Sequence, residues 1–290
     1  MKTSDIAELL LLAALWGGSF LFMRIAAPIL GPIWLIECRV LLAGLVLLPL
    51  LIRQSNLHQL RQHLSPLLIV GGINSAIPFS LLAFASVSLP AGFTSILNAT
   101  APLFGTIVAA LWIKEKLTFP RMMGFILGFA GVVILVGWKT FEATPAFFLA
   151  VVAALGAALM YAIAAPYIKK SLSGVSPLVV TTGSQLGAAL ILLPALPFTL
   201  PTQMPSASVI LSVIALAIAS TAFAYILYFR LIQNIGATKA LTVTYLVPIF
   251  AMLWGALALG EPITAAMLLG CGFVLLGTAI ANDLFSKPVV

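Results

Sequence analysis

The residues that could do chemistry in this chain are few. Arg39 and Glu37 lie inside an otherwise apolar run, Glu115 and Glu261 each close one apolar run just ahead of the next, and Pro102 and Pro248 stand thirteen residues before those two glutamates. A guanidinium about seven residues into a helix sits roughly 10 Å deep at 1.5 Å per residue. A charge at such a depth costs at least about 2.5 kcal/mol if it faces lipid, so Arg39 must face protein or water. It can contact a carboxylate on a bound solute, or it can be a structural arginine satisfied by helix-end carbonyls. Glu37 is a poor direct partner, because residues two apart on a helix point about 200° away from each other. Glu37 is also the one acidic side chain well inside a run and thus the candidate proton carrier, although its place near the end of the run favours simple solvation.

Glu115 and Glu261 suit a structural role. A carboxylate at such a turn caps the N-terminus of the helix that follows, an effect of about 0.5–2 kcal/mol, and Pro262 stands where a first helical position is expected. Pro102 and Pro248 would loosen their helices at matching depths, and paired breaks of that kind point to a binding site. Around them are side chains able to hold a small solute. Thr94 and Asn98 precede Pro102, and Thr244 and Tyr245 precede Pro248. Asn74, Ser75 and Phe79 fall in one run, Thr221, Tyr225 and Tyr228 in another, and Trp16, Ser19, Phe20 and Tyr161 complete an aromatic, weakly polar set. Taken singly, each is more often a helix-packing residue than a ligand. Enzymatic signatures are missing: the sequence has no His-Glu-x-x-His, no Gly-x-Ser-x-Gly and no paired intramembrane aspartates. Neither a metal nor a cofactor is expected.

The elements that must position these residues follow from composition. The chain is 62% apolar and 7% charged, against roughly 25% charged in a soluble domain, so it is a polytopic membrane protein. Ten apolar runs are long enough to span, at about 6–26, 33–52, 66–86, 91–112, 120–138, 146–167, 175–196, 207–229, 238–258 and 262–282. The first run carries Trp16 and ends at Arg24, which reads as a retained span rather than a cleaved signal. Cys38 and Cys271 both lie in apolar runs, so no structural disulfide is expected.

Residues 91–136 align without a gap on residues 237–282, 146 positions later, with Pro102 on Pro248, Glu115 on Glu261, Gly124 on Gly270 and Gly131 on Gly277. This is a duplication, and it divides the chain into repeats at 1–138 and 146–282 with five spans each. Because five is odd, the second repeat enters the membrane from the opposite side, so the repeats are inverted and the site belongs near the midplane. The net charge of +7 is scattered in ones and twos, which sets topology rather than binding nucleic acid. With a cytoplasmic N-terminus, eleven basic residues fall inside and two, Arg24 and Lys139, outside. Both termini are then cytoplasmic.

Trp16-Gly17-Gly18-Ser19-Phe20 in the first span, Arg39-Val40-Leu41-Leu42-Ala43 in the second, and a proline thirteen residues before a glutamate in both halves resemble the EamA-type transporters of the drug/metabolite transporter superfamily. The resemblance covers almost the whole chain. It implies a bacterial inner-membrane permease, often an exporter of amino acids or other small metabolites, with a central cavity lined by helices one, three, four, six, eight and nine. It therefore places Arg39, on helix two, outside that cavity. The smaller multidrug-resistance members use a glutamate in the first helix to exchange protons for cations. Here that helix holds only Glu8, close to its start, which argues against proton-coupled export of hydrophobic cations. The expected partners are a small-molecule substrate and the lipid bilayer, and no motif speaks to oligomeric state. The expected function is alternating-access transport of a neutral or zwitterionic metabolite such as an amino acid. The alternatives are a flippase for a lipid-linked intermediate and a multidrug exporter. Trp16, Asn98, Tyr161, Tyr225 and Tyr245 are expected to converge on one midplane chamber.

Overall fold

The computed structural model describes residues 2–114, 117–137, 144–201 and 203–282; Glu115 lies outside them. Every regular element among the described residues is helical, as expected where no water is available to satisfy exposed backbone groups. Eight helices are long and apolar enough to cross a membrane: α1 Thr3–Leu30, α2 Pro32–Arg53, α3 Leu64–Ser88, α4 Ala91–Trp112, α5 Phe119–Gly137, α6 Pro145–Ser171, α7 Pro177–Phe198 and α8 Ala207–Ile235. Two shorter ones complete the set of ten. Helix α9 joins Ala237–Ala240 to Val243–Leu259, and α10 is Ala265–Ala281.

Two pairs of equivalent helices show that the repeats are inverted. A Cβ on Gly124 of α5 would lie 2.6 Å from the carbonyl oxygen of Gly277 in α10, and one on Gly131 would lie 2.8 Å from that of Gly270. Seven residues forward along α5 thus correspond to seven back along α10, so the two helices run antiparallel. The same holds for α2 and α7. The Trp34 indole N–H donates to the Leu196 carbonyl at 3.1 Å, while Gly44, ten residues on, faces Leu186, ten residues back. Equivalent helices can pack antiparallel against each other only about an axis perpendicular to both, which for spanning helices lies in the membrane plane. The remaining contacts follow the same exchange: α1 packs on α8 and α9, and α6 packs on α3 and α4.

Helices α3 and α8 carry matching distortions. Each contains a π turn, at Gly71–Ala76 and at Ile218–Phe223, within one residue of repeat equivalence. A π turn inserts an extra residue into the helical ladder and re-aims the side chains around it, and such turns recur at functional sites. The two prolines do not behave as a matched pair. Helix α4 breaks at Ala99–Thr100, just before Pro102, whereas Pro248 is buried inside the continuous stretch Val243–Leu259 and the break in α9 falls earlier, at Leu241–Thr242. The reason is local. Pro248 cannot donate to the Thr244 carbonyl, and the strain is absorbed one turn upstream, where Thr244 and Tyr245 N–H groups bond three residues back to Leu241 and Thr242.

Candidate functional site

Arg39 is the hub of the interior. It is 5% exposed, yet no carboxylate among the described residues lies within ion-pair distance of it. Its Nε donates to the Thr221 hydroxyl at 3.0 Å, and that hydroxyl in turn donates to the Leu216 carbonyl at 2.8 Å. Its Nη1 points at the Met23 sulfur 4.0 Å away, and the guanidinium carbon sits 3.7 Å above the centre of the Phe79 ring. Tyr161 and Tyr225 lie within electrostatic reach of the charge. Four helices besides its own therefore meet at this side chain: α1, α3, α6 and α8. The cation–π contact is worth about 2 kcal/mol when desolvated, which offsets part of the burial of the charge.

The aromatic residues around Arg39 form a connected group. Trp16 meets Tyr225 edge to face at 6.2 Å and Tyr228 at 5.2 Å, and Phe79 meets Tyr161 at 6.4 Å. Asn74, on the α3 π turn, lies against the Tyr225 hydroxyl. Ser75 beside it accepts from Gln185 Nε2 at 3.1 Å in the buried interior. Trp16, Asn74, Tyr161 and Tyr225 all remain half-buried rather than fully enclosed. The family resemblance puts Arg39 outside the expected cavity, yet its guanidinium contacts Phe79 and Thr221, two of the residues expected to line that cavity. Arg39 lies on the buried face of α2, and its long side chain lays the guanidinium over the Phe79 ring of α3.

The remaining candidates divide. The Ser19, Thr94 and Thr244 hydroxyls are each spent on a carbonyl of their own helix, at 2.6, 3.1 and 2.8 Å, and Phe20 belongs to the main hydrophobic core. The O–H donors of the three hydroxyls are thus committed locally, while their acceptor lone pairs remain. Asn98 and Tyr245 are half-buried, and neither makes a side-chain hydrogen bond or ring contact with the Arg39 group among the described residues. Glu37 is 4% exposed and its Oε2 has no partner; it is buried, not solvated as expected. Among the described residues no cluster of His, Cys, Asp or Glu could hold a metal. Gln185 and Met23 were missed by sequence reasoning. The duplication offered a signal for Gln185, because it stands 146 residues after Arg39.

A second polar group closes the bundle at the end away from the N-terminus. Arg24 of α1 donates through Nε to Glu261 Oε1 at 3.2 Å, and through Nη1 to the Ser86 and Val87 carbonyls of α3 at 3.0 and 2.6 Å. Glu261 Oε2 in turn accepts the Ala91 N–H that opens α4, at 2.9 Å. Glu261 therefore caps a helix of the other repeat, not its own as expected. The cap of α10 is Thr264, whose hydroxyl accepts the Met267 N–H at 3.2 Å, with Pro262 in the connection before it. Gly255 leaves room for the carboxylate, since a Cβ there would overlap Glu261. At the opposite end, Arg230 of α8 pairs with Glu8 of α1 at 2.7 Å.

Comparison with known proteins gives one consistent result. The model described as the EamA-like transporter family matches residues 6–137 and again residues 148–282. An uncharacterized transporter of Archaeoglobus fulgidus is 25% identical over 272 residues, covering 94% of this chain and 96% of the relative. The uncharacterized inner membrane transporter YedA of Escherichia coli is 28% identical over 291 residues, covering 95% and 91%. Protein PecM of Dickeya dadantii is 24% identical over 298 residues, covering 99% and 95%. A solved crystal structure superposes with a TM-score of 0.65 at 20% identity over 98% of both chains, a likeness of fold.

Proposed function

The chain belongs to the EamA-like transporter family, and from that premise we propose that it moves a small zwitterionic or neutral metabolite of the amino-acid class by alternating access. Its membrane transporter role follows from the family; the cargo and the mechanism are our reading. The observation that carries it is the convergence of Trp16, Phe79, Tyr161, Tyr225 and Thr221, drawn from both repeats, on one buried cation. Aromatic faces hold an apolar body, and a few placed polar groups orient its polar end. Inverted repeats can rock about such a site and open it to either side in turn.

On this reading the chain sits in a bacterial inner membrane with both termini in the cytoplasm. The group around Arg24 and Glu261 is then the closed outer gate, tying α1, α3 and α4 to the α9–α10 connection. The test is counterflow of labelled amino acids in proteoliposomes. Exchange of at least one labelled amino acid above the level of empty liposomes is expected. Exchange of none, together with movement of a labelled lipid-linked sugar between leaflets, would replace this reading with that of a flippase.

A further inference from the structure

We propose that Arg39 is the counter-charge for a carboxylate on the transported solute, so that the site selects carboxylates and has no requirement for an ammonium group. The proposal rests on the transporter reading above and redefines its cargo as a carboxylate, with or without an ammonium group.

Three observations carry it. First, Arg39 is 5% exposed and its charge has no carboxylate partner among the described residues. Glu37 is not such a partner: it lies on the same helix with its Oε2 unpartnered. Second, the guanidinium is only partly used. Of its five N–H groups, one goes to Thr221 and one reaches toward the Met23 sulfur, which leaves Nη2 without a protein acceptor among the described residues. A carboxylate matches that free edge through two parallel hydrogen bonds. Third, the groups that fix the guanidinium are neutral. The Phe79 ring below it and Thr221 beside it set its plane without cancelling its charge.

The surroundings define the rest of the solute. Among the described residues no carboxylate hydrogen-bonds Trp16, Asn74, Phe79, Tyr161, Tyr225 or Thr221, so a solute ammonium finds no matching charge there. Gln185, the counterpart of Arg39 in the second half, is neutral. One fixed positive charge fits one carboxylate, carried by a body able to lie against Trp16 and the tyrosines.

The experiment uses the full-length protein and four probes: L-phenylalanine, 3-phenylpropionate, 3-phenylpropanamide and phenethylamine, with sodium chloride as the ionic control. Thermal unfolding is followed with and without each probe, for the wild type and for R39Q and R39K. The two carboxylates should raise the unfolding temperature of the wild type, and the amide, the amine and chloride should not. R39Q should lose that shift while keeping a cooperative unfolding transition without probe. R39K should keep a shift with affinity weakened by about tenfold, having lost the bidentate geometry. The proposal is overturned if R39Q keeps the carboxylate shift of the wild type. It is equally overturned if the amide, amine or chloride acts as strongly as the carboxylates, or if no carboxylate shifts the wild type. Carboxylates that bind in this way but do not exchange across proteoliposomes would leave Arg39 assigned and defeat the transporter cargo instead.

Discussion

Arg39 and Gln185 occupy the same position in the two repeats, 146 residues apart, and each donates a hydrogen bond to a hydroxyl on the π turn of the opposite repeat. Arg39 reaches Thr221 at 3.0 Å and Gln185 reaches Ser75 at 3.1 Å, and those two hydroxyls are themselves 146 residues apart. The aromatic pairs obey the same exchange. Trp16 with Tyr225 and Tyr161 with Phe79 have centroids 6.2 and 6.4 Å apart. The site is thus a two-fold skeleton decorated asymmetrically, with arginine against glutamine and tyrosine against phenylalanine. The asymmetry leaves a single positive charge, that of Arg39, at the position where the other repeat carries the neutral Gln185.

Thr221 holds that charge in place. Changing Thr221→Val removes the one oxygen acceptor of Arg39 Nε, and a buried hydrogen bond to a charged group is worth about 1.5–3 kcal/mol. The variant should bind its cargo at least tenfold more weakly by that estimate, and Thr221→Ser should restore most of the loss. The concentration dependence of counterflow measures both. Equal affinity in the wild type and the valine variant would show that the hydroxyl does not orient the guanidinium.

The ion pair of Arg24 with Glu261, the proposed outer gate, is partly buried, with side chains 29% and 13% exposed, so its contribution should be near the top of the range for accessible ion pairs, about 1 kcal/mol. Glu261→Ala loses the pair and the cap on Ala91 together. Gly255→Ala should open the same gate indirectly, by pressing a methyl against the carboxylate. With Cys38 and Cys271 replaced by alanine, a cysteine introduced at buried Ser86 reports on the opening. Gly255→Ala should raise its rate of alkylation by a membrane-impermeant maleimide about fivefold, as expected for a shift of about 1 kcal/mol, and Glu261→Ala, which also loses the cap, should raise it at least as much. Unchanged rates would mean that packing alone closes this end.

The seam between α5 and α10 has no slack. A Cβ on Gly277 would lie 2.5 Å from the Gly124 carbonyl oxygen, whereas one on Gly105 or Gly272 would meet nothing within 4 Å. Gly277→Ala should therefore lower stability by about 1–3 kcal/mol, the usual cost of overpacking, while Gly105→Ala and Gly272→Ala stay close to the wild type. Thermal unfolding of the three variants in one detergent decides this, and a Gly277→Ala protein that melts with the controls would contradict the close approach.

The fold was readable because it is repetitive. Ten apolar runs, an ungapped duplication and an odd number of spans per half lead to inverted repeats without any tertiary information. The glycines that align in sequence, Gly124 with Gly270 and Gly131 with Gly277, turn out to face one another crosswise at the α5–α10 seam. The site was readable only in part. Trp16, Phe79, Tyr161, Tyr225 and Thr221 were identifiable as aromatic or hydroxyl residues in the right spans. The place of Arg39 among these residues rests on contacts with Phe79 and Thr221 across helices, which spacing does not report. Nor does sequence mark the π turns, because no residue type demands them. The role of Glu261 was hidden for a similar reason: its partners Arg24 and Ala91 are 237 and 170 residues away in the chain.

Tyr225 and Tyr245 separate a compact site centred on Arg39 from a wider chamber. Both are half-buried tyrosines in the second half, but Tyr225 touches Trp16 and Asn74 and lies within reach of the Arg39 charge, whereas Tyr245 makes no such contact among the described residues. Tyr225→Phe keeps the ring face and removes only the hydroxyl. Loss of one buried hydrogen-bonding group costs about 1 kcal/mol, so cargo affinity should fall about fivefold, with the unfolding temperature nearly unchanged. Tyr245→Phe should leave affinity at the wild-type value. Counterflow across a range of cargo concentrations gives both numbers from one preparation of each variant. If Tyr245→Phe weakens affinity as much as Tyr225→Phe does, the cargo spans the distance between α8 and the broken helix α9, and the site extends well beyond the group gathered at Arg39.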